Sequence, residues 1–96
     1  MRLRDQLDEL SDVIVSTAAA CGAFNVRVFG SVARGEEDEG SDIDFLVHLE
    51  DGRSLLDLVR LETRLEELLG RSVDVVTESS LTEPIRSRAL REAIRV

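Results

Sequence analysis

The apolar positions of this chain fall into runs with distinct periods. Leu3, Leu7, Leu10, Ile14 and Ala18 recur every three or four residues, which puts them on one face of a helix over residues 3–20. Asp8, Glu9 and Asp12 lie off that stripe, and Gly22 just beyond it is a stop signal. From Asn25 to Phe29 the period drops to two. Val26 and Val28 alternate with Arg27 and Phe29, the pattern of a short strand. Gly30-Ser31 breaks that strand; Ser31 can cap a short helical turn through Ala33 and Arg34, which Gly35 ends.

An acidic loop over Glu36 to Ser41 leads to a second strand over Ile43 to Leu49, with Ile43, Phe45 and Val47 on one face. Ser54, with Asp57 three residues on, reads as a capping box at the start of the next helix. Leu58, Leu61, Leu65 and Leu68 form its apolar stripe and Gly70 closes it. A valine-rich third strand covers Ser72 to Thr77. Pro84 suits a first helical turn, and Ile85, Ala89 and Ala93 mark the buried side of a last helix.

The order is therefore helix, strand, short turn, strand, helix, strand, helix. A full helix between the second and third strands fits a crossover, whereas the dozen residues between the first two permit either orientation. The predicted fold class is α/β (α+β), a small mixed β-sheet backed by helices. With no internal repeat, low-complexity tract or linker, residues 1–96 read as one domain.

Composition narrows the function classes. The chain is 43% hydrophobic and 33% charged, too apolar for disorder and too charged for a membrane protein. No apolar run is long enough to cross a bilayer, and the charged N-terminus lacks the core of a signal peptide. The expectation is a soluble cytoplasmic protein without a membrane partner. Cys21, the sole cysteine, follows three alanines and reads as a small buried residue. Net charge is −8, and every basic residue is Arg. Residues 84–96 hold four Arg and one Glu, a net of +3, while residues 1–83 hold eight Arg and 19 acids, a net of −11. So acidic a body is a poor surface for nucleic-acid phosphates and argues for a small or proteinaceous acceptor.

Three acids stand out against this background. Asp42 and Asp44 are two apart on a predicted strand, so both carboxylates project from the face opposite Ile43 and Phe45. Side by side they repel unless neutralised, and a divalent cation such as Mg²⁺ takes oxygen ligands of this kind together with substrate phosphates. Asp74, between Val73 and Val75, can join them if the third strand lies beside the second. Upstream, Phe29-Gly30-Ser31-Val32-Ala33-Arg34-Gly35 ends a strand in glycine and serine before a helical turn. Backbone N–H groups and a hydroxyl there suit phosphate oxygens, Gly30 allows close approach, and Arg34 can add a charge-assisted contact. A triphosphate loop plus carboxylates for metal ions is what phosphoryl-type transfer requires.

Gly30-Ser31, ten intervening residues and Asp42-Ile43-Asp44 resemble the signature of the polymerase-beta-like nucleotidyltransferases, and the local sequences resemble its minimal members. Asp74, in Val73-Asp74-Val75-Val76, matches the family's third acid. The resemblance runs from about Val26 to Thr77. It implies the polymerase-beta-like fold and transfer of AMP from ATP. It implies two Mg²⁺ ions on Asp42 and Asp44, with Asp74 as ligand or base, and phosphate contacts from Gly30 and Ser31. It also implies a partner, because many minimal members are antitoxins of HEPN-domain ribonucleases and resemble enzymes that adenylylate a tyrosine of the toxin. With no Tyr in this sequence and no second domain for a small acceptor, a tyrosine acceptor has to come in trans. Neutralisation by occlusion alone, and transfer onto RNA or a small molecule, are the alternatives; the oligomeric state, homo- or hetero-, stays open.

The remaining charged residues read more plainly. Glu36, Glu37, Asp38 and Glu39 form a solvated loop that Ser41 can hold through a hydrogen bond. His48 falls on the face of Asp42 and Asp44 but past the site, as a strand-end histidine. Arg88, Arg91 and Arg95 repeat along the last predicted helix, either as a solvated face or as a docking surface for an acidic patch.

Overall fold

In a computed structural model describing residues 2–96, the elements run α1 (Leu3–Glu9), α2 (Ser11–Ala20), β1 (Ala23–Phe29), α3 (Ser31–Arg34), β2 (Ile43–Leu49), α4 (Leu55–Leu69), β3 (Val73–Val76), a 3₁₀ turn (Glu78–Ser80), α5 (Ile85–Glu92) and β4 (Ile94–Arg95). The strands form one sheet in the order β3-β2-β1-β4. β1 runs antiparallel to both β2 and β4, and β2 runs parallel to β3 across the α4 crossover. This is the expected mixed sheet backed by helices, and the orientation of β1 against β2 is now fixed.

Period-two burial divides the sheet into two faces. Val26, Val28, Ile43, Phe45, Val47, Val73 and Val75 are buried with Leu3, Leu7, Ile14, Ala18, Leu58, Leu61, Leu65 and Leu69 of α1, α2 and α4. Each Val, Leu, Ile or Phe among them contributes roughly 1.5–3 kcal/mol on leaving water. Cys21 is buried, as its alanine-rich setting suggests. The other face carries Arg27, Phe29, Asp44, Leu46, His48 and Asp74, and the 3₁₀ turn and α5 reach over parts of it. Among the described residues, no helix is long and apolar enough to cross a membrane.

Several predicted boundaries are corrected. The first helix is interrupted at Leu10 (φ −96°, ψ 8°) and resumes at Ser11. Ser11 and Asp12 are residue types whose side chains compete for backbone groups and favour helix starts. The apolar stripe survives the break, with Leu10 half-buried against the core. β1 begins at Ala23, two residues early, and Asn25 takes a left-handed φ of 51°. The register shifts between Phe24 and Arg27, a bulge that Asn tolerates better than most residues. The last helix ends at Glu92. Only Ala89 is buried on it, Ile85 is 55% exposed, and Ala93 lies outside the helix. Arg95 is therefore not helical and belongs to β4, a strand the periodicity did not predict.

Both ends of α4 form as the sequence indicates. The Ser54 N–H donates to Asp57 Oδ2 at 2.9 Å, and Gly70 closes the helix at a φ of 66°. The helix also protects the sheet edge. Glu66 Oε2 accepts the Val73 N–H at 3.0 Å and Glu62 Oε2 accepts the Val75 N–H at 2.9 Å. Those outward N–H groups would otherwise be an unpaired edge. The two bonds bracket Asp74 and fix it on the opposite face.

Candidate active site

β2 and β3 bring the acids together. Asp44 and Asp74 are direct register partners on neighbouring parallel strands, and Phe29 of β1 lies opposite Asp44 on the other side. Strands so paired lie about 4.8 Å apart. The Ile43 N–H donates to the Ser72 carbonyl at 3.0 Å, and Arg71 Nη1 donates to the Ser41 carbonyl at 3.3 Å, pinning the starts of both strands. Asp42, just ahead of β2, is exposed, whereas Asp44 is half-buried. Burial first, then repulsion from Asp74 and Asp42, pushes the Asp44 carboxyl from its ordinary 3.8 up to about 6, with Arg34 pulling weakly the other way. Asp44 thus senses all the predicted charged members of the site.

Gly30 backs directly onto this acid. Its φ is 76°, and a β-carbon there would stand 2.5 Å from Asp44 Oδ2. The position demands glycine twice, once for the backbone angle and once for the close approach. Gly30 also takes the cap position of α3, so Ser31 is the first helical residue and not the cap. The Ser31 carbonyl accepts the Glu36 N–H at 2.8 Å, which closes the loop after the turn.

Arg34 is engaged by carboxylates. Its guanidinium donates to Glu36 Oε2 at 3.0 Å and to Glu92 Oε1 at 2.8 Å. Glu36 is thus an ion-pair partner and not merely a solvated loop residue. Glu92 in turn accepts the Gly30 N–H at 3.3 Å and Arg88 Nε at 3.2 Å. Burial alone would raise the Glu92 carboxyl, but the bonds from Arg34, Arg88 and Gly30 outweigh it and hold it below the ordinary glutamate range. In the sequence Glu92 stands out only as the one acid among the four arginines of residues 84–96, and its 62-residue separation from Gly30 leaves no local signal.

Ser41 holds the acidic loop as expected, accepting the Asp38 N–H at 3.0 Å and donating to Asp38 Oδ1 at 3.1 Å. His48 lies past the acids on the same face, with Nε2 3.3 Å from both Arg27 Nη2 and Glu78 Oε1.

The donor set of Asp42, Asp44 and Asp74 is all carboxylate oxygen, which suits a hard cation such as Mg²⁺. The pressure on Asp44 is the kind a cation relieves. Among the described residues, no three Asp, Glu, His or Cys side chains are gathered into a ready metal cage. Aligned carboxylates beside an N–H and a guanidinium can accommodate a cation and phosphate oxygens together.

A model of the nucleotidyltransferase domain family matches residues 2–96. The chain belongs to this family. The nucleotidyltransferase is 44% identical over 90 residues to a candidate protein adenylyltransferase of Methanocaldococcus jannaschii, covering 94% of this chain and 97% of the relative. It is 48% identical over 75 residues to the protein adenylyltransferase MntA of Thermococcus cleftensis, covering 78% and 76%. Among solved structures, a candidate minimal nucleotidyltransferase matches with a TM-score of 0.85 at 50% identity, over 96% of this chain and 94% of that one. A toxin–antitoxin structure with AMP-PNP shares the fold at a TM-score of 0.74 and 21% identity, over 88% and 69%. The minimal nucleotidyltransferase fold expected from Gly30-Ser31 and the acids is the fold observed.

Proposed function

We propose that this nucleotidyltransferase moves AMP from ATP onto a hydroxyl of a separate protein, and that the modified protein is a toxin which it thereby restrains. The reading rests on the register pairing of Asp44 with Asp74 beside Gly30, and on relatives named protein adenylyltransferases. Asp42, Asp44 and Asp74 would hold Mg²⁺, which when bound neutralises phosphate charge. The chain's own residues supply the rest. The Gly30 N–H and the Arg34 guanidinium bind phosphate oxygens, with Ser31 beside them. The acceptor oxygen bonds to the α-phosphorus, the bond to pyrophosphate breaks, and the hydroxyl proton goes to Asp74, the more exposed strand acid.

We assign the acceptor to a tyrosine of a HEPN-domain toxin. This chain contains no Tyr, so such an acceptor is supplied in trans. The fold shared with a toxin–antitoxin structure holding AMP-PNP supports a partner-bound, nucleotide-using protein. The test is transfer of label from α-labelled ATP to the co-expressed partner, with Mg²⁺ or with chelator. Label in the partner, lost with chelator and with Asp42→Asn or Asp44→Asn, is expected. Transfer that survives both substitutions overturns the mechanism. A partner restrained equally well by Asp44→Asn shows that binding alone is enough.

A further inference from the structure

Glu92 occupies the donors that the proposed reaction needs for phosphate. Its carboxylate takes one backbone N–H, from Gly30, and two guanidinium groups, from Arg34 and Arg88, at 3.3, 2.8 and 3.2 Å. A nucleotide phosphate is recognised by the same set: a glycine N–H that permits close approach, and charge-assisted bonds from Arg. The Glu92 side chain is 18% exposed, while the arginines that bind it lie at the surface. Beside it lies an open groove of about 190 Å³ lined by Phe29, Gly30, Arg34, Ile85, Arg88 and Glu92. The far side of Gly30 backs onto Asp44. Gly30 therefore lies between the Glu92 carboxylate, bound to its N–H, and Asp44, against its α-carbon.

α5 buries little of itself against the sheet, and its firm ties are at its start, where Arg86 donates to the Glu78 and Leu81 carbonyls. Ala89 is the one buried residue of that helix among those described, and Ile85 and Leu90 are 55% and 41% exposed. After the helix, the chain is held to the sheet by the two residue pairs of β4 and by Val96, which packs against the core and donates its N–H to the Val26 carbonyl at 3.2 Å.

We propose that Glu92 is a built-in phosphate stand-in, which holds the Gly30 N–H and Arg34 in the nucleotide-free protein and has to leave before a triphosphate binds. Glu92 is then a residue that sets nucleotide affinity. Two anions cannot share these donors, because their repulsion and the loss of a hydrogen-bond partner both oppose it. Displacement leaves Arg34 with Glu36 as its remaining partner and releases its Nη1, and Arg88, for the phosphates. This rests on the reading of Gly30 and Arg34 as nucleotide ligands.

The test is ATP–Mg²⁺ affinity by calorimetry for wild type, Glu92→Gln and Glu92→Ala, with tripolyphosphate as a probe that lacks the base. Both variants are expected to bind ATP about tenfold more tightly, and tripolyphosphate more tightly as well. Unchanged or weaker binding in both folded variants overturns the stand-in and makes Glu92 a brace for Arg34. Wild type that binds neither probe overturns the nucleotide-site reading itself. A measurement on wild type needs no variant: the carboxyl-carbon NMR signal of Glu92 is expected to move when ATP is added. A signal unmoved at saturating ATP overturns the proposal.

Discussion

Two charged clusters share one face of the sheet and are resolved in opposite ways. Towards one end, Arg27, His48 and Glu78 neutralise one another. Arg27 Nη1 donates to Glu78 Oε1 at 3.2 Å, and His48 stacks edge-on against Phe24 with ring centres 5.5 Å apart. The bonds from His48 and then Arg27 hold the Glu78 carboxyl below its ordinary range. Towards the other end, Asp44 and Asp74 face each other with acid opposite acid, and Asp44 is pushed up to about 6. Both clusters stand on the same strand β2, and Asp44 and His48 are four residues apart. The difference lies in what each cluster leaves unmet. The satisfied cluster is finished structure, whereas the strained one makes sense with a cation and phosphates.

The largest expected effect separates them by activity. On the proposed mechanism Asp44→Asn removes a charge that the transition state uses, and transfer is expected to fall by roughly 10³-fold or more, the scale of losing a preorganised electrostatic group. Arg27→Ala, in the satisfied cluster, is expected to leave the rate per folded molecule within about threefold, because the proposed mechanism gives that cluster no role. Initial rates of AMP transfer to the partner measure both. Comparable losses in the two variants would break the division of roles.

Stability should reverse the ranking. Arg27 is 14% exposed and also donates to the Asn25 carbonyl, so Arg27→Ala is expected to cost about 1 kcal/mol in lost packing and pairing. In chelator at pH 7.5, Asp44→Asn is expected to stabilise the fold. The full linkage value of its displaced carboxyl is about 3 kcal/mol, which solvent screening at a half-exposed group reduces to ~1 kcal/mol. Urea unfolding of both variants gives the signs. A destabilised Asp44→Asn would mean that the acid pair carries no strain, and where the gain is seen saturating Mg²⁺ should erase it.

The strained cluster was legible in the sequence and the satisfied one was not. Asp42, Asp44 and Asp74 declare themselves through strand alternation, and Gly30 through its place at a strand end. Those are short-range features, and the α4 crossover then puts β3 beside β2. The arginine at position 27, His48 and Glu78 meet only once the bulge at Asn25 and the 3₁₀ turn are in place, and neither leaves a periodic trace. β4 is two residues long, too short for alternation to show, and it exists because β1 offers an edge. The break at Leu10 is a local backbone choice that the apolar stripe passes through unchanged. Glu92 was hidden for a related reason. Its helix reads as basic and solvated, and its partners Gly30 and Arg34 lie 62 and 58 residues earlier in the chain. Glu62 and Glu66 belong to the same class, as surface acids whose bonds to Val75 and Val73 appear only in three dimensions.

The smallest expected effect is a difference in slope. The native Asp44 carboxyl keeps its proton up to about pH 6, while the unfolded chain releases it near 3.8. Between those values the native state binds more protons, so this group makes stability fall as pH rises through the window. Glu78 has the opposite sign. Its native carboxyl lies below the ordinary range, so the unfolded state binds the proton first, and its contribution is lost as pH falls through the native value. In metal-free protein, Asp44→Asn should therefore flatten the decline between about pH 4 and 6, and Glu78→Gln should flatten the loss on the acid side of the ordinary glutamate range. Urea midpoints taken at half-unit steps from pH 3 to 7 resolve the two. If both substitutions change the profile with the same sign, the two ends of the face are not electrostatic opposites, and the contrast between a satisfied and a strained cluster fails with them.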